Sequence, residues 1–238
     1  MPRQKRDALY ALYSLCFRYA QIVCGRAATG RPEIVDLASD LDIARISDGV
    51  PDGALEQVMA WAVETFALPR TELESLQDGV QEAVAALLIP PDEYRPGDFS
   101  DLAGRACGRL TVRILGSAHE LALQLGSQLG AACFLTSILS GLCEPSSAAM
   151  VRKDLLRRGE EAFLAARDLE HRVDCRALWP AVAIGEIYER SLARLAHDAA
   201  RTSGGPAPSN LSTLEKVWIA ARYARAARRS PSKSARGG

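Results

Sequence analysis

Residue types that could do chemistry are scattered along this chain of 238 residues. Asp36, Asp40, Asp42, Asp48 and Asp52 stand close together in a loop-rich stretch, where a solvated acidic face explains them better than a metal site. His119, His171 and His197 show no HxxxH or HxxE spacing, the arrangement that would put metal ligands or an acid–base pair on one helical face. Ser137 and Ser140 lack a histidine–aspartate set and are expected to bond back to helix carbonyls. The glycines of GSQLG (126–130) sit inside an apolar helical pattern, where close helix packing accounts for them better than a phosphate cradle. Cysteines at 16, 24, 107, 133, 143 and 175 include no CxxC pair and lie mostly in apolar stretches, which reads as buried free thiols. Arg18, Arg105, Arg109 and Arg113 are the cations that could line an anion-binding cavity without a metal.

The elements that must position these residues are helices. Apolar residues recur at three- and four-residue spacing between the breakers, and strict alternation over five or more residues is hard to find, so the chain reads as all-α. The pattern predicts helices over 3–24, 33–46, 52–67, 70–88, 98–115, 117–142, 147–170, 174–199 and 211–229, punctuated by glycine and proline. Residues 1–200 form one expected helical domain, 201–210 a linker, 211–229 an amphipathic helix and 230–238 a disordered tail. Helix 211–229 is expected to dock on its own domain. Peripheral membrane contact through 211–238 is the other reading, because Arg225, Arg228, Arg229, Lys233 and Arg236 have no acidic residue among them.

Apolar residues make up 48% and charged residues 24%, the balance of an ordinary globular protein. Lys+Arg and Asp+Glu are both 29, which leaves no general attraction to nucleic acid. No leader-like segment opens the chain and no run of about 18 uncharged apolar residues occurs, so the cytoplasm, with contact at the inner membrane face as a variant, is the expected location.

Several ordered blocks carry a resemblance: PRQKRDALYALYSLCFRYAQIV (2–23), LPRTELESLQDGV (68–80), GRLTVRILG (108–116) and LGAACFLTSIL (129–139), extended by RALWPAVAIGEIYERSLARL (176–195) and LSTLEKVWIAARY (211–223). Together they resemble the squalene/phytoene synthase family, most of all its bacterial branch that makes presqualene diphosphate. The resemblance implies the all-α, terpenoid-synthase-like (isoprenoid synthase) fold, a single-domain helical bundle. It also implies two aspartate-rich helical motifs facing each other across a cavity, where carboxylates hold Mg²⁺ against a prenyl diphosphate.

At those positions this sequence departs from the family. The first motif falls on Ala20, Gln21, Ile22, Val23 and Cys24, with no carboxylate. The second falls on Ser137, Ile138, Leu139, Ser140, Gly141, Leu142, Cys143, Glu144 and Pro145, and retains only Glu144. A family tyrosine falls at Phe99, the glycine of the same motif at Arg105, and an aspartate at Ala83. The lid-like loop after the second motif and the first helix of the family are expected to be missing. Leu12, Leu15, Arg18, Arg105, Arg109, Cys133, Phe134 and Ile138 would line a vestigial cavity, and its apolar members are expected to have collapsed together, since an empty cavity costs on the order of 24 cal/mol per Å³.

The resemblance and the departures together imply a catalytically degenerate member with no cofactor, acting as a binding, regulatory or assembly partner. The implied partner is an active prenyl synthase homologue or a respiratory assembly, with a prenyl lipid as a further ligand and no nucleic acid. The alternative is an active Mg²⁺-dependent prenyltransferase that condenses two farnesyl or geranylgeranyl diphosphates head to head.

Overall fold

In the computed structural model, residues 1–29, 53–87, 89, 93–95, 97–141, 149–200 and 211–229 are described, and among them the regular structure is helical throughout. The helices are α1 (Arg3–Thr29), α2 (Ala54–Phe66), α3 (Arg70–Leu87), α4 (Leu102–Leu115), α5 (Glu120–Gly141), α6 (Ala149–Glu170), α7 (Trp179–Ala200) and α8 (Thr213–Arg229). The expected helix at 33–46, the linker at 201–210 and the tail at 230–238 lie outside the described residues.

Local chemistry sets the helix ends. Gly53 precedes α2, and its amide donates to the Glu56 carboxylate three residues on. Ala67 closes α2 in the left-handed region (φ 46°), and Leu68 then donates to the Val63 carbonyl at 3.0 Å before Pro69 stops the chain from continuing. Gly116 (φ 96°) ends α4, with Ser117 donating to Val112 O at 3.1 Å, and Lys5 Nζ donates to the Leu115 carbonyl at 2.6 Å. Ser212 and Glu215 form a reciprocal cap on α8, with the Ser212 amide 2.9 Å from the Glu215 carboxylate.

Three expected boundaries are corrected. The first helix runs through Gly25 to Thr29, because an internal glycine weakens a helix by only about 1 kcal/mol. The helix expected from residue 98 starts at Leu102: Gly97 takes φ 102°, and the Asp98 carboxylate accepts from the Arg95 amide at 2.6 Å, which holds 95–98 in a turn. The helix expected from 174 starts at Trp179. Asp174 accepts from the Arg176 amide at 3.1 Å, and Pro180 is tolerated only in a first turn.

At the centre of the bundle is α5, which touches α1, α4, α6 and α7. It is long and apolar enough to cross a membrane, yet 61% of its apolar window is buried inside this fold, which makes it a core helix here. Its crossing with α4 is made by glycines. A Cβ on Gly108 would lie 1.8 Å from the Gly126 carbonyl oxygen, and one on Gly130 would lie 2.0 Å from that of Gly104. Backbone therefore packs against backbone, as the GSQLG spacing suggested. On the other side of α5, the carboxylate of Asp154 on α6, 1% exposed, accepts from Tyr94 Oη and from the Gly97 amide, both at 3.0 Å, and from Arg157 at 2.9 Å.

Two outcomes follow. Gly108→Ala forces the α4–α5 crossing apart and costs about 3 kcal/mol in urea unfolding. Gly159→Ala, where the new Cβ meets only a Leu192 methyl at 3.0 Å, changes stability by less than about 1 kcal/mol. Burial opposes ionisation of Asp154, but the Gly97 amide, Arg157, Tyr94 and Arg158 together outweigh it and hold its pKa below the usual 3.8. A depressed folded pKa gives stability that is complete above the unfolded value of about 3.9 and is lost as pH falls through the folded one. Asp154→Asn should cost about 2 kcal/mol at neutral pH and flatten the loss of stability below about pH 4, read from urea midpoints across pH.

Candidate functional site

A cavity of about 320 Å³ lies between α1, α3, α4, α5 and α7. Most of its wall is apolar or bare backbone: Leu76 on α3, Ala103, Gly104 and Gly108 on α4, Gly126, Leu129, Gly130 and Phe134 on α5, Ala181 and Ile184 on α7. Phe17, 62% exposed, stands at its mouth. Pairs spaced one helical turn apart bring polar atoms to it: Tyr13 and Cys16 on α1, Cys107 and Thr111 on α4, Cys133 and Ser137 on α5, joined by Tyr188 from α7.

These groups are partnered among themselves and with their own helices. The Cys16 thiol donates to the Cys107 sulfur at 2.8 Å. Thr111 donates to the Cys107 carbonyl at 2.8 Å and lies 3.5 Å from the Tyr13 hydroxyl, and Ser137 donates to the Cys133 carbonyl at 2.9 Å. The hydrogen bond with Cys107, then burial, pushes the Cys16 thiol well above its ordinary range. Burial does the same to Cys133, Tyr13 and Tyr188. These four groups are therefore neutral at physiological pH and supply neither thiolate nucleophile nor phenolate base. Among the described residues no charged side chain lines the cavity.

The arginines expected there are turned elsewhere. Arg105 forms a two-pronged bond with the Asp101 carboxylate at 3.0 and 2.9 Å. Arg109 and Arg113 converge on buried Glu72 of α3, each at 3.0 Å. Arg18 is exposed on α1. The reason is desolvation: a guanidinium against an apolar wall has lost its water, whereas one held by a carboxylate is compensated. Of the other expected lining residues, Cys133 and Phe134 do line the cavity, while Leu12, Leu15 and Ile138 are enclosed in the core. The expected collapse is thus incomplete: a space of about 320 Å³ remains beside the glycine crossing of α4 and α5.

The positions onto which the sequence reading placed the family's motifs are described only in part. Ala83 is buried, and buried Phe99 leans on Phe134 with ring centroids 6.3 Å apart. Ser140 donates to the Thr136 carbonyl at 2.8 Å, as Ser137 does one turn earlier, and Gly141 ends α5 without a side chain. Ala20, Gln21 and Cys24 belong to α1, but their side chains, like Glu144 and the aspartates between 36 and 52, lie outside the described residues. His119, His171 and His197 are all exposed. Among the described residues no three His, Cys, Asp or Glu side chains converge as a metal set.

A second cavity, of about 440 Å³, lies between α6, α7 and α8. In its wall Arg167 pairs with Glu189 and Arg190 with Glu186, while Glu170, whose carboxyl pKa is raised by burial and then by Glu189, makes no ion pair among the described residues. The polar and thiol lining residues that sequence reasoning did not assign to the main cavity include Tyr13, Cys16, Cys107, Thr111 and Tyr188. The available signal was their one-turn spacing along α1 and α4.

The family model for squalene/phytoene synthase matches residues 1–144, more than half of the chain. A presqualene diphosphate synthase of Rhodopseudomonas palustris is 31% identical over 145 residues, 60% of this chain and 51% of that protein. Presqualene diphosphate synthases of Sinorhizobium fredii and Zymomonas mobilis are 28% and 27% identical, each over 60% of this chain and about half of their own length. This chain therefore spans about half the length of the curated relatives it matches. No solved structure matches. The family match stops before 176–195 and 211–223, so the likeness read there rests on those two blocks alone. The motif-bearing blocks of the first 144 residues, the all-helical bundle and the matches agree: the chain belongs to the squalene/phytoene synthase family.

Proposed function

We propose that this chain is a non-catalytic member of its family, one that holds a neutral prenyl lipid and serves as a binding or regulatory partner in isoprenoid metabolism. The observation that carries this reading is the uncharged lining of the main cavity. A prenyl diphosphate brings several negative charges, and burying them without cations or metal is strongly unfavourable. A prenyl alcohol or hydrocarbon needs only an apolar wall and, at most, one or two neutral hydrogen-bonding partners. Tyr13, Ser137 and Tyr188 supply those.

The sequence supports the same reading. The first motif has no carboxylate at Ala20, Gln21 or Cys24, and the second has none at Ser137, Ser140 or Gly141. Ionisation of a diphosphate needs an electrophilic partner for the leaving group, and the described residues supply none. The framework is kept while those groups are replaced, as happens when function lives in a site carried by a fold. Such a protein acts by association, with an active prenyl synthase homologue as its natural partner and a respiratory assembly as the variant. It needs no cofactor for that role.

Incubation of the purified protein with farnesyl diphosphate and Mg²⁺ tests this directly. No pyrophosphate release above the protein-free control is the expected result. Release that disappears on addition of EDTA would overturn the proposal and establish head-to-head prenyl transfer instead.

A further inference from the structure

Residues 211–238 carry seven basic side chains and one acidic one, although the whole chain is balanced. The one acid, Glu215, is consumed by the α8 cap at Ser212 and by Arg194. The excess positive charge of this stretch is therefore not neutralised from within it.

The sequence leaves the apolar residues of α8 to face either the domain or a partner, and the structure divides them. Ile219, fully buried, and Leu211 pack with Ala183 of α7 and anchor the helix to the domain. Leu214 and Val217 point away from it and are 81 and 59% exposed, and Trp218, 56% exposed, lies at the edge of this face with the Arg190 guanidinium of α7 5.9 Å and that of Arg222 5.3 Å from its ring. At 100° per residue, Arg225 and Arg228 fall on this same outward side, further along the helix, and both are exposed. Neither makes an ion pair among the described residues. The outward face is thus apolar in its first half and basic in its second.

An apolar stripe alone would suit many partners. Unpaired cations on the same face, with no acid among them, single out an anionic surface, and an exposed tryptophan beside aliphatic side chains suits the headgroup level of a bilayer. We propose that the outward face of α8 docks on an anionic lipid bilayer. Leu214, Val217 and Trp218 enter the boundary between headgroups and acyl chains, and Arg225 and Arg228 pair with headgroup phosphates. This proposal does not depend on what occupies the main cavity.

Co-flotation of the full chain with phosphatidylglycerol-containing vesicles, against pure phosphatidylcholine vesicles, tests it. The protein should float with the anionic vesicles at low salt and be released at about 1 M salt, where screening acts over about 3 Å. Each basic residue near such a surface is worth about fivefold in partitioning, so Arg225→Glu with Arg228→Glu should weaken binding by about 25-fold or more. Trp218→Ser should weaken it separately, and because these side chains are exposed, all variants should keep the wild-type circular dichroism melt. Emission should shift to the blue on vesicle binding, and Trp218→Phe should abolish the shift. Equal binding to neutral vesicles, no flotation at low salt, or full binding by the charge-reversed variant would overturn the proposal. So would a concentration-dependent dimer that Trp218→Ser dissolves, which would give the face to a second copy of the chain.

Discussion

Gly104 and Gly108 of α4 meet Gly126 and Gly130 of α5 without a side chain between them, and the rest of the bundle is arranged around that contact. Backbone contact fixes how closely the two helices approach, and so it sets Cys107 and Thr111 beside Cys133 and Ser137. A Cβ on any of the four would run into the facing helix, the nearest atoms lying 1.8 to 2.6 Å away, so none of these positions can take a larger residue without forcing the crossing apart. A space of about 320 Å³ lies beside the crossing.

Charge is distributed away from that space. Glu72 gathers Arg109 and Arg113, Asp101 holds Arg105, and Asp154 holds Arg157 together with the Tyr94–Gly97 turn. The last of these has a structural reach. By fixing the turn that leads into α4, Asp154 sets Phe99 against Phe134, and Phe134 is part of the cavity wall. The cavity is left with thiols, phenols and hydroxyls, among which the burial of Tyr13, Tyr188 and Cys133 keeps the proton on. A site built to ionise diphosphates needs charge inside the cavity. Here Glu72, Asp101 and Asp154 hold their arginines outside it.

Most of the fold was legible in the sequence, since three- and four-residue apolar spacing is what a helix buries and the family's blocks occur in order. The boundaries misread were those where a side chain competes with the helix for backbone groups, as Asp98 and Asp174 do, or where one glycine was given the weight of a stop, as at Gly25. Part of the cavity was legible, since Cys133 and Phe134 were expected to line it and do. The arginines were not, because a stripe at 105, 109 and 113 shows that three cations share a face without showing which carboxylate that face meets. Glu72, the partner of Arg109 and Arg113, lies more than thirty residues away in sequence, and only the packing of α3 on α4 reveals it. The thiol cluster was hidden for the same reason, Cys16 and Cys107 being brought together from separate helices.

The claim on which the rest depends is that the cavity accepts a neutral prenyl chain and rejects its diphosphate. Calorimetric titration of the purified chain with farnesol and with farnesyl diphosphate, each with and without Mg²⁺, tests it most directly. Saturable binding of the alcohol that is indifferent to Mg²⁺, with weaker binding of the diphosphate under both conditions, is the predicted result. Tighter binding of the diphosphate, strengthened further by Mg²⁺, would contradict the account.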